Sequence, residues 1–418
     1  MRRSPLLPIF LICLVDVFGF TIVIPLLSLF AEKFGASPFV ATTIVSVYAV
    51  CSLISTPIIG RLSDRHGRRP LLLISQAGTC IGFLVLAGAS SLWMVFFGRI
   101  LDGLTAGNLA LAQAYISDHT EPQNRAKAFG VIGIAFGIGF FFGPALGGIL
   151  GDINLSLPFL VAACLSAISM VCTYTLLPRD LPPQSDAAAK AKLPDAPDAP
   201  PPPAGRRPGA FDIRAYLEYF RRPGLGGLYL QFFLFCFSFS CFTSGFALFA
   251  EHRFNWTQHQ TGFLFSFSGF LGLILQGGLI GRLVKRFGEA PLVVSGFIAA
   301  TIAYVWLGLA GSVTMILVAA VFSAYGNGIL RPVITSRMTQ AVGRHEQGAA
   351  LGVSGSLQSI AMALAPPVGG ALISNGWLTA WAMVPGGVAL LGLLATGVVK
   401  KPPVVTPAPA RGAGSAKA

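Results

Sequence analysis

The chain has 418 residues, of which 54% are hydrophobic and 11% are charged, and its mean hydropathy is +0.72. A soluble domain carries about 25% charged residues, so too few charges exist here to coat a water-soluble enzyme. The net charge of +13 is not gathered on a soluble domain, which argues against nucleic acid as a partner. The seven cysteines lie in apolar stretches without CxxC spacing, so no zinc site, disulfide framework or cofactor is predicted.

Twelve apolar segments are candidates for membrane spans, since a transmembrane helix takes about 20 apolar residues. We therefore predict an all-α membrane protein with 12 transmembrane helices. The segments are 6–30, 40–59, 70–89, 92–115, 128–150, 157–177, 225–249, 262–281, 291–310, 313–336, 348–373 and 378–399. The first contains Asp16 and shows no small-residue cleavage site, so it is interpreted as a span and not as a signal peptide.

A Pro-, Ala- and charge-rich stretch separates the sixth segment from the seventh, and its composition is typical of a linker. Its last part, 211–222, is amphipathic and predicts either an interfacial helix or a plain linker helix. The expected organisation is an N-terminal six-helix half (1–177), a cytoplasmic linker (178–224), a C-terminal six-helix half (225–399) and a disordered cytoplasmic tail (400–418).

Basic residues are distributed very unevenly between the two sides of the predicted spans. Lys33 and Arg253 lie on one side, Arg99 and Arg331 lie within spans, and the other 25 of 29 lie on the opposite side. By the positive-inside rule both termini are predicted to be cytoplasmic, in the inner membrane of a cell.

The two halves repeat each other. GRLSDRHGRRP at 60–70 is echoed by GRLVKRFGEAP at 281–291, and FGPALGG at 142–148 is echoed by LAPPVGG at 364–370. Both echoes are displaced by nearly the same number of residues, which makes an accidental repeat improbable. Repeated halves are typical of secondary transporters, whose substrate site lies between the repeats near the middle of the bilayer.

The motif at 60–69 resembles the signature between spans two and three of the major facilitator superfamily. Gly143-Pro144 in the Gly-rich fifth span resembles the antiporter signature of its 12-span drug/proton exchangers, and the chain is similar to their tetracycline/proton antiporter group. This resemblance implies the major facilitator fold, and export of a small-molecule substrate across a lipid bilayer in exchange for protons; a monomer is expected. The exporters' His in span eight and Asp in span nine correspond here to Gly272 and Ala300, so proton coupling is expected to rest on the N-terminal half.

Three charged residues inside spans are the candidates for proton coupling. A charged acid near a helix centre costs about 2.5–3.5 kcal/mol, so Asp16 is expected to face the bundle interior and exchange a proton there. The alternative is a solvated acid without a coupling role. Arg99 and Asp102 share one helix face. The family resemblance implies that Arg99 modulates an acid or holds an anion, whereas a self-neutralised structural pair is the alternative; Asp102 is a second candidate proton carrier.

Other polar residues and the loop signature complete the candidate site. The candidate substrate-binding residues are Asn108, Gln113, Gln276, Asn327 and Arg331, with a structural, snorkelling role as the alternative for Arg331. The candidate gating residues are Gly60, Asp64, Arg65, Gly67, Arg68, Arg69 and Arg125. Asp64 is expected to contact either Arg68 or a partner from the other half.

Small residues recur every four positions in span five, which predicts close approach of a neighbouring helix. The candidate packing residues are Gly139, Gly143, Pro144, Gly147 and Gly148, with Gly369 and Gly370 in span eleven. We expect these small faces to form a tight contact between the two halves.

Two further functions remain open at this stage. One is proton-independent or symport uptake of a sugar, metabolite or metal complex, and the other is a membrane scaffold or sensor that does not transport. Enzyme chemistry is not predicted, because all five histidines lie in loops or at span ends and no phosphate-binding loop is present.

Overall fold

The fold is helical, and its helices have the length and composition that a bilayer demands. The computed structural model describes residues 6–119, 125–177, 218–222, 224–342 and 346–398. Within these ranges, 11 helices are long and apolar enough to cross a membrane, and a shorter apolar helix covers Ile9–Val23. The predicted all-α membrane architecture is confirmed. The tail, and almost all of the linker with its amphipathic piece, lie outside the described residues.

In the first half, two of the predicted spans are interrupted. The helices are α1 (Leu6–Val23), α2 (Leu27–Glu32), α3 (Pro38–His66), α4 (Arg68–Ala87), α5 (Leu92–Leu104), α6 (Asn108–His119), α7 (Arg125–Ile153) and α8 (Leu157–Leu176). Span one breaks at 24–26, where Pro25 has no N–H to donate. Span four breaks at 105–107.

In the second half, span eight changes helical pitch halfway along. The helices are α9 (Leu225–Phe254), α10 (Gln258–Ile274), α11 (Ile280–Phe287), α12 (Glu289–Leu309), α13 (Val313–Gln340), α14 (Gln347–Ser374) and α15 (Leu378–Val398). A π-helical turn, Leu275–Leu279, joins α10 to α11. Such turns are rare in proteins, and those that occur often lie at functional sites.

The outer surface of the bundle is apolar. Trp93, Tyr174, Trp377 and Leu394 are all more than half exposed. A soluble protein would not leave so many large apolar side chains in water, whereas in a bilayer they face lipid.

The halves meet along two seams, α7 with α10 and α3 with α14. Both seams are closed at the end of the bundle that carries Lys33 and Arg253, hereafter the closed end. There the Ser28 hydroxyl donates to the Ser244 carbonyl (3.0 Å), and the Phe39 N–H donates to Ser374 Oγ (2.9 Å).

The same seams are splayed at the end that carries Arg68 and Arg286, hereafter the open end. A side-chain carbon placed on Gly133 or Gly277, in the first seam, would meet no other atom within 4 Å, and the same holds for Gly60 and Gly352 in the second seam. At these positions the two halves are therefore not in contact, and a space separates them at this end.

Candidate functional site

Asp16 lies inside the N-terminal half, where α1 meets α4 and α8. Its side chain lies beside the Ser169 hydroxyl and the Gln76 amide. Gln76 Nε2 donates to Ser169 Oγ at 2.7 Å. Asp16 Oδ1 and Gln76 Oε1 are both buried and accept no hydrogen bond. A proton on Asp16 Oδ1 would convert this unpaired acceptor into a donor, while the Ser169 hydroxyl and the Gln76 amide can donate to the ionised carboxylate, so the site has partners for both forms of the acid.

The second charged group in this half is a buried ion pair. Arg99 Nη1 donates to Asp102 Oδ2 at 2.7 Å, with side chains only 5% and 7% exposed. The Arg99 guanidinium also lies over the Tyr48 ring, 4.3 Å from its centre. Asp102 is close enough to Asp16 for their charges to interact. The shared helix face of Arg99 and Asp102 was predictable from their spacing of three residues, whereas the packing of the helices brings Asp16 to the pair.

Asp16, Gln76, Arg99, Asp102 and Ser169 therefore form one buried polar cluster. It lies between α1, α4, α5 and α8 of the first half. Gln76, Ser169 and Tyr48 were not among the predicted site residues. The available signal was a glutamine and a serine at the depth of apolar spans three and six, where a polar side chain needs a partner.

The candidate substrate residues do not gather at one point. Asn108 Oδ1 is buried without a donor, whereas Gln113 and Gln276 are exposed. Asn327 donates to Ser323 Oγ at 3.0 Å. Arg331 is exposed and donates to Gln358 Oε1 of α14 at 3.1 Å.

Arg331 faces away from the periphery of the second half. The preceding residue, Leu330, packs on Gly296 of α12, the helix outside α13, while Arg331 turns toward α14 and its seam. This residue therefore presents a cation to the space between the halves. Among the described residues no group of three or more His, Cys, Asp or Glu side chains could hold a metal ion.

The loop signature pairs within its own half. Asp64 Oδ1 lies 2.6 Å from Arg68 Nη2, and Arg68 also donates to Ser63 Oγ. Of the two predicted partners of Asp64, the structure shows Arg68. Gly67 has φ of +92°, a conformation that side chains rarely adopt, which explains glycine between the two helices.

The remaining gating candidates lie around this turn at the open end. Arg69 is buried, donates to the Tyr174 carbonyl and stacks on the Tyr174 ring, so it ties span three to span six. Arg65 is exposed and Gly60 borders open space. The side chain of Arg125 lies outside the described residues.

Comparison with known proteins decides the family. The model of the Major Facilitator Superfamily matches residues 9–284 and 228–418. The chain belongs to the major facilitator superfamily. It is 29% identical to the class B tetracycline resistance protein of Escherichia coli over 88% of both chains, and 25% identical to multidrug resistance protein 2 of Bacillus subtilis (strain 168) over 87% and 88%.

Solved structures agree with this fold. A human organic anion transporter aligns with a TM-score of 0.68 at 22% identity, covering 94% of this chain and 99% of its own. A peptide-transporter-family protein bound to 5-aminolevulinic acid aligns with a TM-score of 0.76 at 16% identity, covering 96% of each chain. The matched proteins are transporters and not enzymes, and this chain is a multi-pass membrane transporter.

The glycine stripe of span five contacts its own half of the transporter. Side-chain carbons placed on Gly139, Gly143 and Gly147 would collide with α1, at Val17, Thr21 and Ile22 respectively. The prediction of a contact between the two halves is therefore wrong for Gly139, Gly143 and Gly147, whereas the Pro144 carbonyl oxygen does meet Gly262 of the other half. A period of four reveals a bare helix face, but it does not say which neighbour covers that face.

The residue after the stripe makes the contact between halves instead. Gly148 faces α10, where the Gln258 carbonyl oxygen lies 2.7 Å from the place of a side-chain carbon. Span eleven repeats the arrangement: Gly369 packs on Trp381 of its own half, and Gly370 faces the Pro38 carbonyl oxygen of α3. Adjacent helical residues point about 100° apart, so the two glycines of a Gly-Gly pair pack against two different neighbouring helices.

The buried ion pair yields a stability prediction. Asp102→Asn leaves the Arg99 guanidinium buried without a counter-charge, so we expect a loss of about 3–5 kcal/mol in unfolding free energy. The double variant Arg99→Met/Asp102→Leu removes both charges and should recover most of that loss. Thermal unfolding of the purified variants measures both values. Equal stability of Asp102→Asn and the unmodified protein would contradict a structural need for the pair.

Proposed function

We propose that this transporter exports a small organic compound in exchange for protons, by alternating access, across a bacterial inner membrane. The observation that carries the proposal is Asp16, an ionisable acid held inside protein with an unpaired buried oxygen. The similarity to tetracycline and multidrug resistance proteins supports export. The excess of Lys and Arg at the open end supports a cytoplasmic position for that end and both termini.

In the proposed cycle, Asp16 carries a proton in the conformation described here and gives it up to the open, cytoplasmic end. Substrate then enters from the same end, and the seams exchange their closed and open ends. A proton can drive this change only if its affinity for Asp16 differs between the two conformations. The driving force is adequate, since one charge moved through 100 mV is worth about 2.3 kcal/mol.

The charge of the cavity wall indicates a substrate class. In the described part of the chain no carboxylate forms an ion pair with Arg331, whose partner is the neutral Gln358. The positions of the relatives' His and Asp are Gly272, which borders open space, and Ala300, which packs on Gly326. The C-terminal wall therefore carries a positive charge without an acid, so we propose that it binds a carboxylate or another anionic acceptor group of the substrate.

Proton movement in reconstituted vesicles tests the proposal. Vesicles that contain the transporter and a pH-sensitive dye receive tetracycline, carboxyfluorescein or ethidium, which differ in charge. We expect the anionic compound to move with an opposing proton flux. Arg331→Gln should raise the concentration of the anionic compound that gives half-maximal transport by roughly 10- to 100-fold. Arg331→Lys should raise it less, because only the glutamine variant loses the charged hydrogen bond.

Two outcomes favour the other functions. Compound flux without proton movement indicates proton-independent transport. If no compound moves, and replacing the Pro-rich core of 178–224 by a neutral spacer abolishes docking of a partner protein, the chain is a scaffold or sensor.

A further inference from the structure

Two histidine–carboxylate pairs bridge the halves at the closed end. His252 Nε2 of α9 lies 3.9 Å from Glu32 Oε1 of α2. His259 Nδ1 of α10 lies 3.9 Å from Asp152 Oδ2 of α7, and the backbone N–H of His259 donates to Asp152 Oδ1 at 3.3 Å. In both pairs the first half supplies the acid and the second half supplies the histidine. Separation of the two halves at this end would break both contacts.

These pairs are accessible to protons from the water at that end. The four side chains are between 21% and 46% exposed, so they are neither sealed in the bundle nor fully solvated. Histidine is the side chain that ordinarily gains charge between pH 5 and 8. A proton on either ring turns the contact into an ion pair as long as the partner carboxylate is ionised.

A third acid reinforces the effect of protonation at the first pair. Glu251 of α9 interacts electrostatically with Glu32, and its Oε2 is buried without a partner. When both are ionised, two negative charges face each other across the halves. Burial, with a further contribution from Glu251, raises the pKa of Glu32 to about 7.

The sign of the pH effect is the same for every group. A separated glutamate has a pKa of about 4.3, so closure at this end costs free energy above pH 7, and the cost disappears as the pH falls toward 4. A protonated His259 also attracts the Asp152 carboxylate, whereas at Glu32 it is the loss of the carboxylate charge itself that removes the cost of closure. Acid on this side therefore favours the closed conformation.

Other charged groups at this end do not reverse that sign. Lys33 follows Glu32 but forms no ion pair with it among the described residues. Arg253 donates to the Gly308 carbonyl and to Thr379, both within the second half. The helices packed against the two pairs, including α1, α3, α8, α13, α14 and α15, bring no further Asp, Glu, Lys, Arg or His to this end in their described parts.

We propose that the closed end is a proton-binding latch, in which Glu32–His252 and Asp152–His259 take up protons from the compartment on that side and hold the two halves together. This role rests on the proposed function in one respect only, namely that the compartment at the closed end is the outside of the cell. It adds a second set of protonation sites to the exporter, separate from Asp16.

Distance measurements between the halves test the latch. Spin labels at Ser90 and Asn375, both exposed at the closed end, report its closure in the purified full-length transporter with its native cysteines replaced. Between pH 8 and pH 5 we expect the closed population to rise relative to the open one. Over the same pH range, the closed-to-open ratio of His252→Gln/His259→Gln should change by a factor roughly 2- to 30-fold smaller than in the unmodified protein. This is the range that two partly exposed ion pairs supply.

Matched variants separate the latch from other causes. His66→Gln changes a histidine at the open end and should leave the pH profile unaltered. Glu32→Gln/Asp152→Asn removes the opposite partners together with the Glu32 charge, so it should flatten the profile more than the histidine variant does, which keeps the test valid if one variant fails to fold. Asp16→Asn should keep the response, even if it abolishes proton-coupled export.

The latch is overturned if the profile of the double histidine variant overlaps that of the unmodified protein. It is also overturned if the pH response disappears in Asp16→Asn alone, because the central acid would then control closure. Loss of coupled export with the latch response intact would instead count only against the proposed role of Asp16 or its coupling.

Discussion

Asp16→Asn is expected to abolish export driven by a pH gradient while substrate exchange continues. Asparagine keeps the size of the side chain and can still bond to Ser169 and Gln76, but it cannot gain or lose a proton. For one proton per neutral substrate, each pH unit is worth about 1.4 kcal/mol and raises the limiting substrate gradient about tenfold. In the variant that gradient should not respond to pH. Vesicle efflux at imposed pH differences, with counterflow of labelled substrate as the second readout, measures both.

A neutral substitution elsewhere controls for loss of charge in general. Glu218→Gln removes an acid that is exposed and only weakly paired with Arg222, at 3.7 Å, so coupling should survive. If the limiting substrate gradient of Asp16→Asn rises with the imposed pH difference as in the unmodified protein, Asp16 is not the coupling acid. If the variant loses exchange as well, the residue has a structural role.

Gly262→Ala is expected to prevent closure of the seam between α7 and α10. The methyl group would collide with the Pro144 carbonyl oxygen of the opposite half, and a backbone atom cannot turn aside as a flexible side chain can. We expect the variant to insert normally into the membrane and to populate a conformation in which the closed end has opened. It should lose at least about 90% of its transport. A tenfold population change needs about 1.4 kcal/mol, which lies within the usual overpacking cost of about 1–3 kcal/mol. The labels at Ser90 and Asn375 report the separation directly.

The same helix offers a matched control. Gly272→Ala also adds one methyl group to α10, but no other atom lies within 4 Å of it, so distances and transport should stay near those of the unmodified protein. Gly143→Ala collides with Thr21 of the same half and should lower stability without changing the balance of the two ends. Unchanged distances in Gly262→Ala would contradict the assignment of this seam as the closing contact.

The sequence predicts those parts of the structure that depend on short-range patterns. The lengths of apolar segments predict the spans, because each helix must satisfy its own backbone in lipid. The contacts Arg99–Asp102 and Asp64–Arg68 follow from spacings of three and four residues on a helix.

Contacts between distant spans are not encoded in such spacings. Gln76 and Ser169 come to Asp16 from spans three and six, and only the packing of three helices shows this. The stripe ending at Gly147 has the pattern of a contact face, yet its neighbour is α1 and not the other half. The pairs His252–Glu32 and His259–Asp152 join residues that lie far apart in the chain, and they depend on which end of the transporter is closed.

The most direct test of the account is the protonation of Asp16 in each conformation. Infrared difference spectra follow the stretching band of a protonated carboxyl during a pH titration, and comparison with Asp16→Asn assigns that band. The measurement is made on the unmodified transporter and on Gly262→Ala, which favours the opposite opening. The account predicts that Asp16 titrates in both proteins with different midpoints. Equal midpoints, or an Asp16 that stays ionised in both proteins throughout the titration, would contradict it.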